Sequence, residues 1–141
     1  MIRKYKKSDT EEIVDVWYKS SSIAHPFLDS SFMEKEKTNI REIYLPNTKT
    51  WVFTSENSLD GFITMMDNEV AAIFVRPEKQ GQGIGKNLMD LVSQVYDELE
   101  VEVFKDNKIG RSFYDNYGFK KINEHIHEES GHTLFRMKFI K

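Results

Sequence analysis

The stretch EKQGQGIGKNLMDLVSQVY, Glu78 to Tyr96, sets Gly81, Gly83 and Gly85 at alternate positions directly before Leu88, Leu91, Val92, Val95 and Tyr96. The apolar residues recur at helical spacing, so the glycines form a turn that opens a helix. Such a turn offers consecutive backbone N–H groups and the positive end of a helix dipole, which suits a phosphate-bearing ligand. Side chains at the three positions would crowd that approach. Just upstream, VAAIFV, Val70 to Val75, is apolar at every position and ends before Pro77. It reads as a central strand buried on both faces. Two familiar phosphate motifs are excluded. G-x-G-x-x-G needs a third glycine at position 86, which is Lys86, and the P-loop needs a hydroxyl where Asn87 stands.

Working outward, the rest of the chain alternates between helical and strand patterns. Met1–Tyr5 is a short strand. Ser8 with Glu11, and Ser31 with Glu34, are possible capping boxes for two helices. The first helix carries Ile13, Val16 and Trp17 on one face; the second carries Ile40, Ile43 and Tyr44 and ends at Pro46. TWVFTS and GFITMM are strands around a turn at Asn57–Asp60, and Asp67-Asn68 turns the chain into VAAIFV. LEVEVF alternates, with Leu99, Val101 and Val103 on one side. A helix over Ile109–Tyr117 is capped by Gly118, and strands over Phe119–His127 and Thr133–Ile140 flank EESG. The order β-α-α-β-β-β-α-β-α-β-β implies an α/β (α+β) fold with a mixed sheet and helices on both faces.

Composition narrows the class. A chain of 141 residues without an internal repeat or linker is expected to form one domain, residues 1–141. The absence of cysteine removes disulfides, thiol nucleophiles and zinc–thiolate sites. No apolar run approaches the roughly 18 residues of a membrane span. The basic N-terminus lacks a signal peptide's apolar segment, so a cytoplasmic location is expected. A net charge of −3 argues against a nucleic-acid partner, while Lys79, Lys86 and Arg76 supply positive charge beside the glycine turn. His125, His127 and His132 have no carboxylate at ligand spacing, so no metal is expected.

A second motif, NKIGRSFYDNYGF from Asn107 to Phe119, changes the weight of the first. Gln80-Gly81-Gln82-Gly83-Ile84-Gly85 follows the pattern Q/R-x-x-G-x-G/A after a central strand; Asn107, Phe113-Tyr114 and Gly118-Phe119 follow downstream. With both motifs, in this order and on these elements, the chain resembles the GNAT superfamily of acetyl-CoA-dependent N-acetyltransferases. HPFLD, His25 to Asp29, further resembles small stand-alone bacterial members. The resemblance covers almost the whole chain. It implies a mostly antiparallel sheet of six or seven strands, and acetyl transfer from acetyl-CoA to a primary amine by direct attack in a ternary complex. A non-catalytic acyl-CoA-binding module and an acyltransferase for longer acyl-CoAs are the alternative readings. The expected partners are acetyl-CoA and an amine acceptor; the state is monomer or homodimer.

Site residues follow from that resemblance. Gln80 to Gly85, with Lys86, Asn107 and Phe113, would hold the cofactor. VAAIFV and LEVEVF would splay apart to admit the pantetheine arm, which would pair with the backbone of Ile73, Phe74 and Val75, and an N–H there would stabilise the oxyanion, worth roughly 2.7–4 kcal/mol in acyl-transfer sites. Tyr114 would protonate the departing thiolate, with Tyr117 the fallback. A phenol with a pKa near ~10 is protonated at neutral pH and can donate. Glu69, at the start of the central strand, would act as base through water, with His25 the second candidate for that role. His25 and Phe27 would shape the acceptor pocket, with Trp17 and Phe32 as further lining residues.

Overall fold

The computed structural model describes residues 1–141. Its strands are β1 (Ile2–Lys4), β2 (Lys49–Ser55), β3 (Ser58–Met66), β4 (Glu69–Val75), β5 (Glu98–Phe104), β6 (Lys120–Ile126) and β7 (Thr133–Ile140). Its helices are α1 (Thr10–Ala24), α2 (Ser30–Asn39), a single turn α3 (Leu45–Asn47), α4 (Ile84–Ser93) and α5 (Lys108–Tyr117). The seven strands form one sheet in the order β1-β2-β3-β4-β5-β7-β6. Every neighbouring pair is antiparallel except β4 and β5.

Helices cover both faces because the strands send apolar residues both ways. One core joins Ile63, Met65, Leu99 and Val101 of the sheet to Leu88 and Met89 of α4, with Tyr114 of α5. The other joins Val52, Leu59 and Phe62 to Ile13, Val16 and Trp17 of α1, with Met33 of α2. The α1–α2 layer packs on β2 to β4. On β5 and β7 that same face carries charged pairs instead: Glu100 lies opposite Lys138, and Glu102 opposite Arg136.

Local details differ from expectation for electrostatic reasons. Ser8 and Glu11 do not cap α1; Asp9 accepts the Lys6 N–H at 2.8 Å and pairs with Arg3 at 2.9 Å. The second helix starts two residues earlier than a Ser31 cap would have it, because Asp29 accepts the Phe32 N–H at 2.8 Å. An aspartate carries a full charge to the positive helix end, where serine carries only a dipole. Pro46 does not stop the helix. A wide helical turn over Ile40–Tyr44 re-phases the chain, and Pro46 falls in the first turn of α3, where a missing N–H costs nothing. The re-phasing leaves Ile40 buried but Ile43 and Tyr44 exposed.

The largest departure is β4. Only Val70 is buried; Ala71 to Val75 are partly or fully open. Thr64 faces Ala72 and Met65 faces Val70, so Ala71 is an extra residue, a β-bulge. On its other side β4 pairs with β5 only at Glu69–Glu100 and Val70–Val101. Beyond the bulge the two strands separate, as the resemblance implies, so an apolar strand whose composition looks doubly covered instead borders a cavity.

Candidate active site

The gap between β4 and β5 opens into a cavity of about 520 Å³, within the range of small-molecule sites. One wall is β4 from Val70 to Val75, which includes Ile73, Phe74 and Val75. The glycine turn closes one end. Gly81 has φ +81° and Gly83, the cap of α4, has φ +84°. A side chain built at either would meet nothing, so it is the left-handed backbone that demands glycine there. The hydrogen bonds of α4 begin with Asn87 N–H to the Gly83 carbonyl at 2.9 Å, which leaves the N–H groups of the first turn facing outward without acceptors.

The other members of the turn divide by role. Gln80 donates to the Val75 carbonyl at 3.0 Å and so ties the turn to the end of β4. Gly85 has ordinary helical backbone, and a Cβ there would lie 3.1 Å from the Phe113 ring; it allows α5 to pack against α4. Ile84 is buried beside it, while Gln82 does not line the cavity. Lys79 and Lys86 stand at the wall, Lys86 also pairing with Asp90 at 2.9 Å. Arg76 does not join them. It donates to the Leu59 carbonyl at 2.7 Å and pairs with Asp15 at 2.8 Å, so it fastens β4 to α1.

At the α5 wall the two tyrosines separate cleanly. Tyr114 lines the cavity and its hydroxyl has no hydrogen-bond partner in the protein, while its ring packs between Phe113 and Phe119. Burial pushes its phenol well above the ordinary tyrosine value. Tyr117 lies away from the cavity and donates to Asp90 at 2.7 Å; burial, with that carboxylate opposite, pushes it up to about 12.

Asn107 lines the cavity, yet all of its side chain is committed. Its Oδ1 accepts the Gly110 N–H at 2.9 Å, which caps α5, so its Nδ2 is the group that donates to His25 Nε2 at 3.0 Å. That fixes the tautomer: His25 Nδ1–H donates to Ser21 Oγ at 2.8 Å. Desolvation brings this imidazole down to about 4, so it is neutral at physiological pH and has no free nitrogen to take a proton. His25 is therefore placed to shape the site, not to act as its base. Phe27 and Phe104 pack edge-on against its ring at 5.7 and 5.1 Å, and Phe27 meets the His132 ring at 4.7 Å with a tilt of 53°. Phe32 of α2 reaches His127 across this cluster, whereas Trp17 lies in the α1 core.

Glu69 stands apart from the cavity wall. It sits at the foot of β4, below the point where β4 and β5 part, and its carboxylate meets Arg136 at 3.2 Å. The one carboxylate that lines the cavity is Glu102 on β5. Sequence reasoning missed it because it reads as one more outward residue of an alternating strand. Only the separation of β4 from β5 turns it into a wall residue.

Comparison with known proteins decides the family. The family model for the acetyltransferase (GNAT) domain matches residues 12–141. The chain belongs to the GNAT acetyltransferases. The peptidyl-lysine N-acetyltransferase YiaC of Escherichia coli is 34% identical over 124 residues, which are 87% of this chain and 85% of that protein. The peptidyl-lysine N-acetyltransferase YjaB of the same organism is 28% identical over 84% of this chain and 81% of its own length. The apo solution structure of Escherichia coli YjaB superposes with a TM-score of 0.89 at 25% identity, over 99% of this chain and 96% of that one. The fold is also that of the PaiA N-acetyltransferase of Thermoplasma acidophilum, solved with coenzyme A, at a TM-score of 0.78 and 22% identity, covering 100% and 98% of the two chains. This GNAT chain is an N-acetyltransferase that takes its acetyl group from acetyl-CoA. In it, the cavity between β4 and β5 and the free N–H groups of α4 suit a long ligand with a pyrophosphate partway along.

Proposed function

We propose that the chain acetylates the side-chain amine of lysine in a peptide or protein, in one catalytic domain formed by residues 1–141. The observation that carries the reaction geometry is the cavity itself. It has free N–H groups and lysines at one end, an unbonded tyrosine hydroxyl on one wall, and a single carboxylate on another. The lysine acceptor is supported by the names of two related Escherichia coli proteins.

In this reading the turn from Gln80 to Gly85 receives the pyrophosphate, aided by Lys79 and Lys86. The backbone of Ile73 to Val75 receives the pantetheine arm, and Phe113 packs beneath. The acceptor arrives from the side of His25 and Phe27. A lysine ammonium titrates near ~10.4, so it must lose a proton before it can attack. Glu102 takes that proton, the amine nitrogen bonds to the thioester carbon, and the C–S bond breaks. Tyr114 hands its hydroxyl proton to the departing sulfur, and the second proton of the attacking nitrogen, shed as the amide forms, returns the phenolate to phenol. Transfer is direct, as the family membership implies, and the chain has no cysteine on which an acetyl-thioester intermediate could form. Glu69, expected as base, is reassigned to holding Arg136. The test is coenzyme A release from acetyl-CoA with a single-lysine peptide, comparing Glu102→Gln with Glu69→Gln. The account expects the first to lose most of its rate and the second to keep most of it. The reverse order would return the base role to Glu69.

A further inference from the structure

The open face of β4, β5, β7 and β6 holds a charged cluster that the transfer reaction does not by itself require. Arg136 of β7 lies at its centre. Its Nε donates to Glu100 at 2.7 Å, one terminal nitrogen donates to Glu69 at 3.2 Å, and the other faces Glu102 at 3.5 Å. His125 of β6 reaches the same Glu102 oxygen at 3.1 Å. The strand registers build this arrangement: Glu69 lies beside Glu100, Arg136 opposite Glu102, and Asn123, two residues before His125, opposite Arg136. Four strands thus contribute to one cluster, three of them meet at Glu102, and that carboxylate lines the cavity.

We infer that Arg136 is a positioning residue for acetyl transfer: anchored by Glu69 and Glu100, its guanidinium holds Glu102 at the cavity wall, oriented to receive the acceptor's proton. This rests on the reading of Glu102 as the base. The planar fork explains the choice of arginine. Three carboxylates can each take a different edge of a guanidinium, whereas a lysine offers one point of charge. Glu69 and Glu100 have their own part. A guanidinium held by Glu102 alone would be free to swing into the cavity and compete for it; two further partners lock its plane. The groups facing Glu102 are Glu100 on its own strand, Glu69 on β4, His125 on β6 and Arg136 on β7. Removing Arg136 leaves three carboxylates together, with His125 the one remaining cation source beside Glu102. Like charges at that spacing keep protons to higher pH.

The experiment is a pH–rate profile of kcat/KM for a single-lysine peptide, with KM for acetyl-CoA and the melting temperature measured alongside. Arg136→Gln is expected to move the acid limb up by about one pH unit, with the shift shrinking as salt is added. KM for acetyl-CoA should not change, since Arg136 touches no part of the cofactor wall. Arg136→Lys should restore part of the shift but not the full rate, because charge returns without the fork. If Arg136→Gln remains folded and keeps the parent profile, the positioning role is wrong. If Arg136→Gln does not fold, Arg136→Lys carries the test, and a parent rate there overturns it. Glu102→Gln distinguishes this from failure of the base itself: parental activity in that variant removes the base reading and this inference together, whereas an inactive Glu102→Gln beside an unperturbed Arg136→Gln removes this inference alone.

Discussion

Replacing Tyr114 with phenylalanine takes one oxygen from the cavity wall and leaves the ring. The ring is what the core uses: it packs against Phe113 at 5.5 Å and Phe119 at 5.4 Å. The hydroxyl bonds to nothing in the protein, so its removal breaks no internal hydrogen bond, and the melting temperature should hold. What disappears is a proton donor to the leaving sulfur. General acid catalysis is typically worth about 10²–10⁴-fold. Two features point to the low end. A thiolate leaves readily without help, its conjugate acid titrating near ~8.5. Burial also raises the Tyr114 phenol, which makes it a weaker acid, though one still protonated at any pH the enzyme meets. The expected loss in kcat is therefore on the order of 10²-fold, or about 2.7 kcal/mol of transition-state stabilisation. The assay is kcat at saturating acetyl-CoA and peptide, with KM for each substrate measured separately. An undiminished kcat would remove Tyr114 as the acid. A loss confined to KM would mean that the hydroxyl positions substrate and does not donate.

Tyr117→Phe should show the opposite profile: it loses the bond to Asp90 and so costs about 1 kcal/mol of stability in chemical denaturation, with kcat retained. A fall in kcat without loss of stability would contradict its placement outside the cavity. His25 is lowered on folding, from 6.5 to about 4, so the unfolded chain binds the extra proton between those values. Its contribution is complete above pH 6.5 and is lost as pH falls toward 4, about 3 kcal/mol in all. The denaturation midpoint should fall as pH drops through that window, and His25→Gln should remove that part of the pH slope; an unchanged slope would refute the buried neutral imidazole. Gly83→Val forces a β-branched residue into φ +84° at the cap of α4. It should lower the melting temperature and abolish the thermal shift given by acetyl-CoA, and a retained shift would mean that the turn does not hold the cofactor.

The order of elements was legible because each carries a local signature: alternation in LEVEVF, helical spacing from Leu88 to Val92, and Gly118 at φ +118° closing α5. The glycine turn was legible for the same reason, since left-handed backbone at Gly81 and Gly83 is a property of those residues alone. Gly85 does line the cavity, but its second contact, with Phe113, was not legible, because it joins positions that lie on separate helices. Which glutamate borders the cavity was not legible. Glu69 and Glu102 are both glutamates on strands, and what separates them is the bulge at Ala71 and the parting of β4 from β5 beyond Val70. His25 looked like a titratable acceptor-side group; a single hydrogen bond from Asn107, distant in sequence, makes it a fixed neutral one.

The most direct test of the central claim is product analysis. Purified protein and acetyl-CoA are incubated with a peptide that has one lysine and a free N-terminus, and with the same peptide N-terminally blocked. Fragment mass spectrometry then locates the acetyl group. The account predicts acetylation at the lysine side chain of both peptides, with one coenzyme A released per acetyl group transferred and most of the rate lost in Glu102→Gln. Acetylation confined to the free α-amine, or none on either peptide at saturating acetyl-CoA, would contradict it.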